Sequence, residues 1–310
     1  MKTSAVTPDD LIASIMALPP LARAPDGRVS VAENEKLVNW LSSAGVTTFL
    51  YGGCANFFNI GLREFSDVLD LIERIAPPKT WVVPSIGPDF GKAMDQIDIL
   101  RDRDFPTAMI LPFAPVTHTG VATGLRRLSD AYGRPIMLFL KSADYISPTD
   151  AARLLADGVL CTVEYGLSPP DLANDPYLAE LLDAAGTAAW IVDGSGEKTV
   201  VARHAPYGIV GFSSGSGVVG PHLAMALLHA LKRGDLALAE SLRTEFLPLE
   251  ALRQRHSPIP VLHDAVALAD IAATGPIGPF FSNIADPGIL AAIREAAHAL
   301  RAASQARDVP

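Results

Sequence analysis

The chain has 310 residues, 49% of them hydrophobic and 19% charged, which is enough apolar material for one large α/β barrel or two modest domains and excludes a disordered chain. A net charge of −9 and a pI near 5.2 argue against nucleic acid or an anionic membrane as a partner. The first ten residues contain no long apolar core and no stretch reaches about 18 uncharged apolar residues, so neither a signal peptide nor a membrane-spanning helix is expected.

Short apolar runs recur along the chain, each ending in glycine, proline or a polar residue. In order they are Ile12 to Leu18, Thr47 to Tyr51, Trp81 to Pro84, Ala108 to Leu111, Pro135 to Leu140, Val159 to Val163, Ala188 to Val192 and Gly208 to Phe212. Continuous rather than alternating runs of this length fit parallel strands buried on both faces. Between them lie helical segments. Ser30-Val31-Ala32-Glu33 reads as a capping box opening a helix through Leu41. Phe65, Val68, Leu69, Leu71 and Ile72 form one helical face within Leu62 to Ile75, and Ser147-Pro148 starts another helix with proline in first position.

Eight strand–helix repeats in roughly 215 residues predict an α/β fold, a closed (β/α)8 TIM barrel, rather than an open doubly wound sheet. The first strand is not followed by Gly-x-Gly-x-x-Gly. Beyond residue 217 the strands stop. Leu223 to Leu231 reads as the eighth barrel helix, and Leu236 to Leu249, Val261 to Ala273 and Pro287 to Leu300 as three further helices. The expected division is a barrel over 1–233 and a C-terminal helical extension over 234–310 packed on it.

Cys54 and Cys161 sit in or after apolar runs, outside any CxxC pair, and read as buried thiols of a cytoplasmic protein. The histidines form no ligand-like set; His118, after the fourth strand, is the one placed to face a pocket. Neither a metal nor an organic cofactor is expected, since the carboxylates Asp144, Glu164 and Asp193 lack ligand-like spacing. The Asp193-Gly194-Ser195-Gly196 loop and the Ser213-Ser214-Gly215-Ser216-Gly217 loop offer backbone amides of the kind that cradle anions.

Several landmarks, in order and at matching spacing over nearly the whole chain, resemble the dihydrodipicolinate synthase and N-acetylneuraminate lyase family. Pro19-Pro20-Leu21 and Asp26-Gly27 resemble its first-strand exit. Gly52-Gly53-Cys54-Ala55-Asn56 occupies the place of its Gly-Thr-Thr-Gly-Glu loop, and Pro112-Phe113-Ala114 that of Pro-Tyr-Tyr. Pro135 to Phe139 matches its Pro-Ile-x-Leu-Tyr strand, and Gly208 to Pro221 its last strand. The resemblance implies a (β/α)8 barrel with C-terminal helices, a lyase that makes or breaks a carbon–carbon bond or removes water, a small carboxylic acid as substrate, and a homodimer or homotetramer.

It also implies a changed site. Glu164 stands where the family has its Schiff-base lysine, Phe139 where it has a proton-shuttling tyrosine, and Gly53 and Cys54 where it has two threonines. Asp144 lies near its arginine, and Ala114 replaces an aromatic. A carboxylate cannot condense with a carbonyl and a phenyl ring cannot relay a proton, so imine chemistry at position 164 is not expected. Glu164 is then the acid/base candidate. Lys141, two residues beyond Phe139, is expected to pair with Glu164, to supply the missing amine, or to be a solvated loop lysine. The predicted pocket comprises Gly53, Cys54, Asn56, Phe139, Asp144, Ser213 and Ser214. The reading that competes with an altered lyase is a binding or regulatory barrel that has lost turnover.

Overall fold

Seven of the eight apolar runs overlap a strand, and the eighth immediately precedes one, in the computed structural model, which describes residues 1–307. The strands are β1 (Met16–Ala17), β2 (Thr48–Tyr51), β3 (Trp81–Ile86), β4 (Met109–Ile110), β5 (Ile136–Leu140), β6 (Leu160–Tyr165), β7 (Ile191–Asp193) and β8 (Ser213–Ser214). They form one sheet in the order β7-β6-β5-β4-β3-β2-β1-β8. A parallel bridge between Asp193 and Phe212 joins the two ends, closing a (β/α)8 barrel. The helices are α1 (Pro8–Leu11), α2 (Val31–Ser43), α3 (Leu62–Ile75), α4 (Phe90–Leu100), α5 (His118–Tyr132), α6 (Pro148–Ala156), α7 (Pro176–Ala185), α8 (Val200–Tyr207) and α9 (Pro221–Lys232). Four more follow: α10 (Leu236–Thr244), α11 (Leu247–His256), α12 (Pro258–Leu268) and α13 (Pro287–Gln305).

Differences from the sequence expectation have local causes. Leu236 to Leu249 is two helices because Pro248, at the start of α11, cannot donate to the preceding turn. Ala188 to Trp190 forms a turn, with the Ile191 amide donating to Ala188 O at 3.0 Å, so β7 starts late. The run Gly208 to Phe212 buries Ile209 and Phe212 completely, yet it meets β7 only through the isolated Phe212 bridge, and β8 itself starts at Ser213. The capping box at α2 is half formed. The Ser30 hydroxyl accepts from the Glu33 amide at 3.4 Å, while the Glu33 carboxylate accepts from the Ala273 amide at 2.7 Å.

The chain divides into two units. The first holds Ser14–Val82 and the described residues from Ser214 onward. Its core includes Phe49, Tyr51, Phe57 and Phe65, with the Tyr51–Phe57 and Phe57–Phe65 ring centroids 6.3 and 6.0 Å apart. Full burial of such a side chain contributes about 1.5–3 kcal/mol. Within this unit α12 packs on the 3-10 turn Gly53–Ala55, so a C-terminal helix supports the loop after β2. Gly275, at φ +66, lies against Arg23 O so closely that any Cβ would overlap it.

The second unit holds Lys2–Ala13 and Val83–Ser213. It carries β3 to β7 with helices α4 to α8, α4 packing on α5 and α6 on α7. In the β5–β6 ladder Phe139 pairs with Glu164 and Leu140 with Tyr165; in the β6–β7 ladder Glu164 pairs with Val192 and Tyr165 with Asp193.

Candidate functional site around Glu164

Strand alternation decides where Glu164 points. Tyr165 faces the helices: its hydroxyl donates to both Asp175 carboxylate oxygens, at 2.9 and 2.8 Å, and Arg203 stacks over its ring at 4.9 Å. Its neighbour Glu164 therefore lies on the sheet face turned away from α7 and α8. Strand β6 continues one residue past Glu164, so the carboxylate sits just inside the C-terminal end of the strand, where barrels of this kind place their chemistry.

The environment of Glu164 is unusual for a carboxylate. It is 2% exposed, and burial pushes its pKa up to about 7. The Ser213 hydroxyl and the Lys141 cation work against that rise, while the nearby Asp193 carboxylate adds to it. The Ser213 hydroxyl lies beside the carboxylate but falls short of a formed hydrogen bond, and both Glu164 Oε2 and Ser213 Oγ are buried without a hydrogen-bond partner. Gly194 is packed against Glu164 so tightly that a Cβ there would lie 2.9 Å from the Glu164 Cγ. Phe139, half-buried, fills the space beside Gly166, and Lys141 Nζ lies 5.6 Å from the Phe139 ring centroid. Lys141 itself is exposed. A buried carboxyl near neutrality, with one oxygen left without a hydrogen bond, has the pKa that proton transfer at pH 7 requires.

Of the predicted site residues, the second unit thus gathers Glu164, Lys141, Phe139 and Ser213. Asp144 is exposed on the loop after β5, its amide donating to Ser142 Oγ at 3.3 Å. The other predicted residues belong to the first unit. Gly53 and Cys54 are half-buried in the 3-10 turn after β2. Asn56 follows in the left-handed region at φ 59, a conformation asparagine tolerates. Its side chain donates to Pro279 O at 3.3 Å and accepts from the Asn59 amide group at 2.7 Å. Ser214 Oγ accepts from the Gly217 amide at 2.7 Å.

In the loop after β7 two of the amides are used within the protein: Gly194 N donates to Tyr165 O at 2.8 Å and Ser195 N to Asp193 Oδ1 at 2.8 Å. His118 is exposed at the start of α5. Burial pushes the Cys161 thiol up to about 12, which makes it inert rather than nucleophilic. Among the described residues, no group of three or more His, Cys, Asp or Glu side chains is arranged to hold a metal ion, and no helix is long and apolar enough to cross a membrane.

Sequence reasoning missed Arg203 and Asp175. Arg203, fully buried in α8, lies 3.1 Å from Asp193 Oδ1 and 3.8 Å from Asp175 Oδ2, and also donates to Leu167 O. The one available signal was Asp175-Pro176, which reads as a helix cap and does cap α7, with the Leu178 amide at 3.1 Å.

Comparison with known proteins places this geometry on a familiar scaffold. No family model matches the chain. A probable 5-dehydro-4-deoxyglucarate dehydratase 2 of Streptomyces coelicolor is 23% identical over 287 residues, covering 90% of this chain and 86% of that protein. The crystal structure of dihydrodipicolinate synthase from Oceanobacillus iheyensis aligns with a TM-score of 0.82 at 19% identity, over 94% of this chain and 97% of its own. A prophage protein of the dihydrodipicolinic acid synthase family from E. coli K12, in complex with pyruvate, aligns with a TM-score of 0.76 at 18% identity, over 93% and 98%. At these identities the likeness establishes the fold: the chain is a (β/α)8 barrel with C-terminal helices, of the kind seen in dihydrodipicolinate synthases.

Proposed function

We propose that this protein is a divergent lyase of the dihydrodipicolinate synthase and N-acetylneuraminate lyase family. It acts on a small oxo- or hydroxy-acid without forming an imine at position 164, and Glu164 is its acid–base group. The observation that carries this reading is the Glu164 carboxyl, buried and unpartnered at Oε2, with its pKa raised to about 7. A carboxylate held there purely for packing would be costly unless something satisfies it. At neutral pH it is poised to take a proton from the carbon next to a substrate carbonyl. It can then return a proton to a departing hydroxide, so that water leaves and a carbon–carbon double bond forms. The dehydratase name of the Streptomyces relative supports a step of this class. Lys141, cationic and exposed beside Phe139, is the group we assign to the substrate carboxylate.

In this reading residues 234–310 are an extension packed on the barrel, and the working protein is a homodimer or homotetramer. Exposed Phe90, Phe113 and Val116, around an apolar cavity of about 250 Å³, support assembly.

Borohydride reduction in the presence of pyruvate, read by intact mass and peptide mapping, tests the chemistry. The expected outcome is no adduct on any lysine. An adduct on Lys141 would mean that the amine has moved to the neighbouring strand. An adduct on another barrel lysine would show that Glu164 does not occupy the catalytic lysine's place.

A further inference from the structure

One buried ion pair lies directly behind Glu164, and the proton transfer proposed above does not use it. Asp193, at the end of β7, is completely buried. Its Oδ1 accepts from the Ser195 amide at 2.8 Å, the Thr199 hydroxyl at 2.7 Å and Arg203 Nη1 at 3.1 Å, while Oδ2 has no partner. Arg203 also reaches Leu167 O and stacks on the Tyr165 ring, so one guanidinium grips the chain on both sides of Gly166 and the end of the next strand. Gly194, the residue after Asp193, touches Glu164. Anything that loosens the end of β7 therefore moves a wall of the Glu164 site.

We propose that the Asp193–Arg203 pair is the positioning element of this site: it locks the ends of β6 and β7 behind Glu164 and sets the charge against which that carboxylate works. The proposal rests on the reading of Glu164 as the acid–base group. Its physical basis is incomplete compensation. Asp193 has donors on one oxygen only, so part of its negative charge is felt across the strand pair, and Arg203 limits how much. The charged or polar groups acting on Glu164 are Asp193 from β7, Lys141 from the segment after β5 and Ser213 from β8. Those acting on Asp193 are Arg203 from α8, Thr199 just before that helix and the Ser195 amide. Arg203 in turn faces Asp175 at the start of α7 and the Tyr165 ring.

The test is the titration of the two carboxyl groups by carbon-13 NMR of protein labelled at the Asp and Glu carboxyls, which needs no substrate. Asp193→Asn keeps the shape and an acceptor for the same three donors but removes the charge. The Glu164 midpoint is expected to move to lower pH, and the pH profile of kcat to move with it while KM changes little. An unmoved or raised Glu164 midpoint in folded Asp193→Asn would overturn the proposal. Thr199→Val keeps the test decisive if Asp193→Asn does not fold: it removes a donor from Asp193 Oδ1, so the Asp193 charge is felt more strongly and the Glu164 midpoint is expected to move to higher pH, and an unmoved or lowered one would overturn the proposal. Full activity in Glu164→Gln together with a shifted Glu164 midpoint in Asp193→Asn would support the coupling and remove the catalytic reading of Glu164 instead.

Discussion

Glu164→Gln is expected to lower turnover of the true substrate by about 10²–10⁴, the usual contribution of a positioned acid–base group. The same variant is expected to be more stable than the parent protein above neutral pH. The Glu164 pKa rises from an ordinary 4.5 to about 7 on folding, so the folded state holds a proton there that the unfolded chain has released. Ionising the buried carboxyl therefore costs nothing below about pH 4.5. The cost grows as pH rises through 7 and levels off near roughly 3 kcal/mol. Glutamine carries no such cost. Urea unfolding of the two proteins should give nearly equal stabilities at pH 4.5 and a clear advantage for the variant at pH 8. A constant difference across that range would mean that the carboxyl titrates normally in the folded protein. Falling activity with rising stability is the pattern expected where a strained ionisable group is kept for its chemistry.

Arg203→Met should have the opposite effect on stability. Arg203 is fully buried between two carboxylates, Asp193 at 3.1 Å and Asp175 at 3.8 Å, and stacks on Tyr165. Methionine retains much of the apolar bulk but none of the charge or the five donors. Asp193 is then left with the Thr199 hydroxyl and the Ser195 amide, and Leu167 O loses a donor. Breaking a buried pair from one side leaves an uncompensated charge, which costs about 3–5 kcal/mol. The expectation is an unfolding free energy, read from urea unfolding at neutral pH, lowered by about 3–5 kcal/mol. A loss under about 1 kcal/mol, typical of an exposed pair, would show that the network is solvated.

The fold was largely legible in the sequence because burial on both faces writes a strand as an unbroken apolar run. Pro135 to Leu140 and Val159 to Val163 each predicted a strand within a residue or two of its ends. Helices were as clear where cap and face coincide, as at Ser147-Pro148 and over Leu62–Ile75. The break between α10 and α11 was written at Pro248 and overridden by the apolar pattern on either side of it. Glu164 stood out because a carboxylate ends an apolar run. Its neighbours were harder to read. Ser213 reaches it from a strand that begins only after its apolar run, and Asp175 and Arg203 meet Tyr165 from two different helices. Contacts of that kind depend on strand register and helix placement, which no local spacing in the sequence encodes.

A crystal structure after soaking with pyruvate is the most direct measurement of what the site does. The expected result is the acid bound within hydrogen-bonding distance of Glu164, on the face of β6 opposite Tyr165, with its carboxylate towards Lys141 and no bond to any lysine. Density continuous with a lysine Nζ, or pyruvate bound away from Glu164 while Glu164 Oε2 still lacks a partner, would contradict the role given to this carboxylate.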